Sequence, residues 1–191
     1  MLFRSDSNII GCSNSANVTA KYAGGILGYS GGGKNAVTIS YCYNTGKITG
    51  STRSGGIVGQ LQKGEISYCY NVGESACGIA DFTGATLSAC YYLNDETKTS
   101  TAPGGIAVTG HEKITDAASL LTALNTGDRQ RFVADSENKN GGWPLLDWQA
   151  DTAAPAVPVT SVNVTGEAVT GAALAAEALG EGGEKATNVT W

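Results

Sequence analysis

Apolar residues in the first half of the chain fall in short clusters broken by glycine, asparagine and serine. They never settle into the roughly 3.6-residue stripe of an amphipathic helix. The clusters repeat. Ile9-Ile10-Gly11-Cys12-Ser13-Asn14-Ser15-Ala16-Asn17-Val18-Thr19-Ala20 aligns without a gap on Ile39-Ser40-Tyr41-Cys42-Tyr43-Asn44-Thr45-Gly46-Lys47-Ile48-Thr49-Gly50. A third copy runs Ile66-Ser67-Tyr68-Cys69-Tyr70-Asn71-Val72-Gly73, and a shorter fourth is Leu87-Ser88-Ala89-Cys90-Tyr91-Tyr92. A second motif follows the first three copies: Gly24-Gly25-Ile26-Leu27-Gly28, Gly55-Gly56-Ile57-Val58-Gly59 and the degraded Cys77-Gly78-Ile79-Ala80-Asp81. From cysteine to cysteine the steps are 30, 27 and 21 residues.

Each repeat thus offers three β-prone pieces: Ile-x-x-Cys, the Lys-Ile-Thr type, and Gly-Gly-Ile-Val-Gly. Glycine, asparagine and serine between them tolerate the positive φ and turn geometry of sharp corners. One such unit cannot bury its apolar face alone, so it must stack on the next at a spacing of about 4.8 Å. Stacking predicts aliphatic columns of Ile9, Ile39, Ile66 and Leu87, of Ile26, Ile57 and Ile79, and of Val18 and Ile48. The expected fold class is mainly all-β: a short right-handed three-sided parallel β-helix, or solenoid. A small C-terminal cap with one short helix follows, and then a truncated immunoglobulin-like segment.

The paired motifs resemble the GLUG-motif repeats of large bacterial, clostridial-type cell-surface proteins. The resemblance covers roughly residues 8 to 94, carried by Gly24–Gly28, Gly55–Gly59 and the intervening Ile-x-x-Cys-Tyr-Asn-x-Gly blocks. It implies secretion and a surface or adhesion role, often in chains that also hold immunoglobulin-like modules. Some members belong to immunoglobulin A peptidases, with the catalytic part outside the repeats. The third copy departs from the motif at Cys77 and Asp81.

Beyond the repeats the pattern loosens, with Pro103-Gly104-Gly105 as a turn. Thr115-Asp116 can cap a short helix whose Leu120, Leu121 and Leu124 share a face, and Asn125-Thr126-Gly127 supplies its stop. Arg131–Ala134 reads as a strand and Gly142–Gln149 as a final extended piece. This stretch resembles the tail closing GLUG-type repeats, where Trp143, Trp148, Phe132 and the leucines would cover the last repeat's open edge. The expected domains are residues 1–96 for the repeats, 97–150 for the cap, 151–160 for a linker and 161–191 for an incomplete immunoglobulin-like domain. The last resemblance is carried by Val162–Gly166, Ala172–Ala176 and Thr187–Trp191; a whole sandwich needs about 7 strands.

Composition narrows the function. Glycine is 27 of 191 residues, without the three-residue period of collagen and with only 4 prolines. Net charge is −5 and the basic residues are scattered singly, so neither nucleic acid nor an anionic membrane is an expected partner. No apolar run approaches the roughly 20 residues of a membrane span. The first residues, Met1-Leu2-Phe3-Arg4-Ser5-Asp6, contain no apolar signal-peptide core, so the protein is either cytosolic or an excerpt with its signal peptide upstream, and the repeats favour the excerpt.

Candidate chemistry is sparse. Cys12, Cys42, Cys69 and Cys90 stand in register with Cys77 apart, and without a Cys-x-x-Cys pair they read as a buried sulfur ladder rather than a metal site. A disulfide between stacked repeats is geometrically allowed. His111 is the sole histidine, in His111-Glu112-Lys113-Ile114-Thr115, where Thr115 stands in place of a second zinc-protease histidine. It reads as a surface loop residue. Asp135, Glu137, Asn138 and Asn140 suggest a calcium loop, but Lys139 occupies a ligand position, and a solvated turn fits better. No catalytic, cofactor-binding or metal residue is assigned.

Tyr43, Tyr70 and Tyr91 follow the ladder cysteines, and Tyr41 and Tyr68 precede two of them. With cysteine inward, strict alternation would put the tyrosines outward as a stripe able to face host or cell-wall glycans or proteins. Stacked tyrosines that only stabilise neighbouring repeats are the favoured reading. The leading function is a non-catalytic extracellular module that adheres, displays or spaces. The alternative is a β-helical polysaccharide-degrading enzyme or the non-catalytic part of a surface peptidase. An enzyme of that kind uses clustered carboxylates, and only Glu65, Glu74 and Asp81 are acidic between residues 20 and 90.

Overall fold

The computed structural model describes residues 7–31, 36–93, 110–126 and 130–150, with the backbone of 159–165 and 175–180. The chain divides into two units, Met1–Ala150 and Asp151–Trp191. It is mainly β, with parallel sheets and one α-helix among the described residues.

The first repeat contributes β1 (Ser7–Ile10), β2 (Ser13–Asn14), β3 (Val18–Gly24) and β4 (Leu27–Ser30). The second contributes β5 (Val37–Ser40), β6 (Tyr43–Asn44), β7 (Ile48–Gly55) and β8 (Val58–Leu61). The third has β9 (Gly64–Ser67), β10 (Tyr70–Asn71) and β11 (Ala80–Thr83); the fourth has β12 (Thr86–Ser88) and β13 (Cys90–Tyr92). Then follow β14 (His111–Lys113), α1 (Ala117–Leu124), β15 (Phe132–Val133), β16 (Leu145–Leu146) and a 3-10 turn at Asp147–Gln149.

Strands of like position pair in parallel. One sheet runs β1-β5-β9-β12, another β2-β6-β10-β13-β14, a third β4-β8-β11, and β3 pairs with β7. In the third repeat this last position is reduced to a bridge between Gly55 and Cys77. The register is like over like: Ile9 on Ile39 on Ile66 on Leu87, and Val18 on Ile48. Ile39, Ile57, Ile66 and Ile79 are fully buried. Each contributes about 1.5–3 kcal/mol by leaving water.

Four strand positions per repeat replace the three expected. The cause lies before each ladder cysteine. Gly11, Tyr41, Tyr68 and Ala89 all have positive φ, between 47° and 65°. That left-handed residue bends the Ile-x-x-Cys piece and splits it into two strands. The corner therefore falls there, and not at the asparagines. Tyr41, Tyr68 and Ala89 accept a conformation unfavourable to side chains carrying a Cβ.

Asn14, Asn44 and Asn71 instead lie inside strands as a ladder of amides, with Asn44 and Asn71 fully buried. Asn14 Nδ2 donates to Asn44 Oδ1 at 2.7 Å, and Asn44 Nδ2 to Asn71 Oδ1 at 2.7 Å. Each amide also donates to the carbonyl two residues on, in Ala16, Gly46 and Gly73 respectively. Gly25 and Gly56 sit against these amides; a Cβ at Gly25 would lie 2.6 Å from Asn44 Cγ. The paired glycines make room for the buried amides.

Asp81, opposite Gly59, is accommodated within β11 of the third repeat. Its carboxylate accepts the Ser54 N–H at 2.8 Å and Arg53 at 3.1 Å, while Arg53 lies 4.8 Å over the Phe82 ring. β11 still pairs with β8 on either side of it.

Helix α1 starts at Asp116, whose carboxylate accepts the Ser119 N–H at 2.8 Å. Leu120 and Leu124 point to the core and Asn125 ends the helix. β15 and β16 pair antiparallel. The final stretch, expected as one extended piece, turns into the 3-10 helix after Leu146.

In the second unit, β17 (Val159–Thr165) pairs antiparallel with β18 (Ala175–Gly180), with a register shift between Val159 and Ser161. The expected turn at Pro103–Gly105, most of the 151–160 linker and the strand at Thr187–Trp191 lie outside the described residues.

Candidate functional site

The tyrosines mark the face for which the sequence offered stacking between repeats as the favoured role and ligand contact as the other. β6, β10 and β13 carry Tyr43, Tyr70 and Tyr91 in register. Tyr43 and Tyr70 stack with ring centroids 4.9 Å apart and planes 5° from parallel, while Tyr41 and Tyr68 stack at the corner, 5.1 Å and 6°. The stripe exists, yet it is not open to a ligand. Tyr43 and Tyr70 are buried in a cluster with Leu120, Leu124, Phe132 and Leu146. Tyr91 is half-buried against the same cluster.

Polar contacts fix this cover. Tyr70 Oη donates to the Pro144 carbonyl and accepts from Asn140 Nδ2 at 2.9 Å. Tyr43 Oη donates to Gln149 Oε1 at 2.8 Å. Gln149 Nε2 reaches Ser13 Oγ at 3.0 Å, and the exposed Trp148 donates to the Gly11 carbonyl at 3.3 Å. The C-terminal segment is therefore a strap. β14 extends the last repeat's sheet beside β13, and the chain then runs back across the tyrosine face to the first repeat. A lid over the last repeat alone was expected. Aromatic area along the whole face draws the strap instead.

Burial pushes the Tyr70 phenol far above the ordinary tyrosine range, and Tyr43 beside it adds to the effect. Its folded value is thus raised, so its contribution is complete below the unfolded value of about 10 and fades as pH climbs above it. We expect the urea midpoint to hold up to about pH 9 and to fall between about pH 10 and 12. A midpoint flat across that alkaline range would contradict the burial of this ring.

The cysteines form the expected column. All five are thiols; Cys12 is exposed and the other four are buried. Cys42 Sγ donates to the Ser40 carbonyl at 3.2 Å, Cys69 to Ser67 at 3.2 Å, and Cys90 to Ile66 at 3.3 Å. Burial pushes the Cys69 thiol well up. These sulfurs act as small apolar side chains with a weak donor. His111 is not in a loop. It lies in β14 opposite Cys90 as the next member of the column, its ring 5.3 Å from Tyr92.

In the acidic loop, Asp135 binds the protein's own backbone. Its oxygens accept N–H groups of Lys139, Asn140 and Gly142 at 2.8, 2.7 and 2.9 Å. Burial pushes its carboxyl up, but these N–H groups together outweigh it and hold it below the usual carboxylate range. Glu137 pairs with Lys139 at 2.9 Å. Of the repeat acids, Glu74 pairs with Lys47 at 2.6 Å and Asp81 with Arg53; Glu65 is exposed on β9.

The sequence reading missed the asparagine ladder. The signal was there: Asn14, Asn44 and Asn71 recur two residues after each of the first three ladder cysteines, as regularly as the isoleucines. Among the described residues no helix is long and apolar enough to cross a membrane.

No family model matches the chain, and no curated protein matches it. Among solved structures it is similar to one described as "a putative immunoglobulin A1 protease from Bacteroides ovatus". That similarity has 20% identity and a TM-score of 0.49 over 74% of this chain. The chain spans 57% of that structure's length.

Proposed function

We propose that this chain is a non-catalytic extracellular repeat module of a bacterial surface protein, of GLUG type, that spaces and displays. Its first unit is a short right-handed parallel β-helix with four strand positions per turn, strapped along one face by residues 110–150. The in-register pairing of four successive copies supports the fold reading. Parallel crossovers in one sheet are right-handed in about 98% of cases. The segment from residue 161 is the opening of an immunoglobulin-like module.

One observation carries the functional reading. Among the described residues, most of the side chains with chemistry to offer are engaged with other groups of the fold. The tyrosines hold the strap, the cysteines and asparagines hold successive repeats together, and Asp81 and Glu74 are ion-paired. A paired-carboxylate hydrolase needs two acids facing one cleft, whereas these acids are each committed to a cation. The module keeps its tyrosine face for itself and offers its loops and corners to the outside.

The test is an incubation of the full chain with a panel of bacterial and host polysaccharides and extracellular-matrix proteins, scored for both binding and product release. The expected result is no released sugar or peptide from any substrate. Release that tracks the purified chain would overturn the non-catalytic reading. Saturable binding to one glycan without turnover would replace spacing by adhesion.

A further inference from the structure

Among the described residues, one thiol of the sulfur column is exposed. Cys12 is exposed, while Cys42 beneath it is buried. Ser13 pairs with Tyr43 in the adjoining register, which places Cys12 one strand spacing from Cys42. That spacing, about 4.8 Å, lies within the Cα separation a disulfide spans. The two cysteines already touch: the Cys12 N–H donates to Cys42 Sγ at 3.4 Å. Among the described residues, β1, β2 and β4 pair on one side. Closure draws the two Cβ atoms in from the strand spacing to the roughly 4 Å that a disulfide spans.

We propose that Cys12 and Cys42 form an oxidisable pair that closes to an intramolecular disulfide on meeting a small-molecule disulfide such as oxidised glutathione. The Cys12 thiol loses its proton and its sulfur attacks one sulfur of the oxidised glutathione. The glutathione S–S bond breaks, a Cys12–glutathione mixed disulfide forms, and one glutathione thiolate leaves. The Cys42 thiol then loses its proton and attacks the Cys12 sulfur, expelling the second glutathione thiolate. The two released protons go to the two glutathione thiolates, so two cysteine thiols are oxidised and one disulfide is reduced to two thiols.

The order follows from access. Cys69 and Cys90 lie deeper in the same column, and Cys77 sits buried in another, at the bridge to Gly55. Their burial keeps all three from a dissolved disulfide that Cys12 can meet. Closure would tie the first repeat covalently to the second. The bond depends on the register of the repeats and not on the role of the module at a surface.

The experiment treats the full native chain with oxidised glutathione, blocks remaining thiols by alkylation and maps the peptides by mass spectrometry. The expected product is a cross-linked Cys12/Cys42 peptide with Cys69, Cys77 and Cys90 alkylated only after unfolding. Thermal melting rises by about 5–10 °C in the oxidised form, as expected for closing a loop of this size. Cys12→Ser loses the cross-link and the rise; Cys77→Ser keeps both. A lasting glutathione adduct on Cys12 alone, five unmodified thiols, or a preferred bond through Cys69, Cys77 or Cys90 would each overturn the proposal.

Discussion

Gly56→Ala is expected to destabilise the first unit by about 3–5 kcal/mol, through overpacking and broken buried hydrogen bonds together. A methyl group at Gly56 meets the Asn71 side chain on one side and the Gly78 carbonyl on the other. Neither neighbour can withdraw freely. Asn71 Nδ2 donates to Gly73 O at 3.0 Å and Ser75 Oγ at 3.1 Å, while its Oδ1 accepts Asn44 Nδ2 at 2.7 Å and the Gly73 N–H at 3.2 Å. Gly56 itself donates to Cys77 O at 2.9 Å and accepts from the Gly25 N–H at 3.1 Å, so its own backbone is pinned between repeats. Thermal melting should fall by about 10 °C or more for a unit of this size. The exposed neighbour Thr52 is the control, and Thr52→Ala should stay within about 0.5 kcal/mol. A Gly56→Ala protein that melts like the parent would remove the amide ladder from the core.

Tyr70→Ala is expected to cost about 3–5 kcal/mol, and to do so by releasing the strap first. The ring is fully buried, stacked on Tyr43 and tilted against Phe132 at 5.7 Å. Its hydroxyl joins Asn140 to Pro144 on the strap. Truncation removes the packing and both hydroxyl bonds, leaving Asn140 and Pro144 bonded only within the strap. Limited proteolysis should then cut within residues 114–150 well before the repeats, and Trp143 fluorescence should change at lower urea than the strand signal. Tyr70→Phe keeps the ring and should lose only about 1–2 kcal/mol. Simultaneous loss of strap and repeats in both variants would mean the strap is not a separable layer.

These two positions also show what could be read from the residues alone. The isoleucine columns were legible because in-register stacking writes itself into the sequence as repetition, and apolar repetition has one meaning. Asn44 and Asn71 were not legible as interior residues, because asparagine read singly signals a turn. Only its recurrence beside a paired glycine reveals an amide that bonds to its own copy. The bend at Tyr41 and Tyr68 was hidden because tyrosine seldom takes positive φ. The column of Cys12, Cys42, Cys69 and Cys90 followed directly from register, whereas its continuation in His111 did not, since no repeat motif surrounds that histidine. The strap's path was beyond local pattern altogether. Its anchors join residues as far apart as Tyr43 and Gln149, and no spacing rule connects them.

Parallel stacking of like on like is tested most directly by scalar couplings across backbone hydrogen bonds in isotope-labelled protein. The expected couplings join the Tyr43 amide nitrogen to the Cys12 carbonyl, Tyr70 to Cys42 and Tyr91 to Cys69, bonds of 3.0, 3.0 and 2.9 Å. Couplings from those amides to any other carbonyls, or a pattern of reciprocal antiparallel pairs between the same segments, would contradict it.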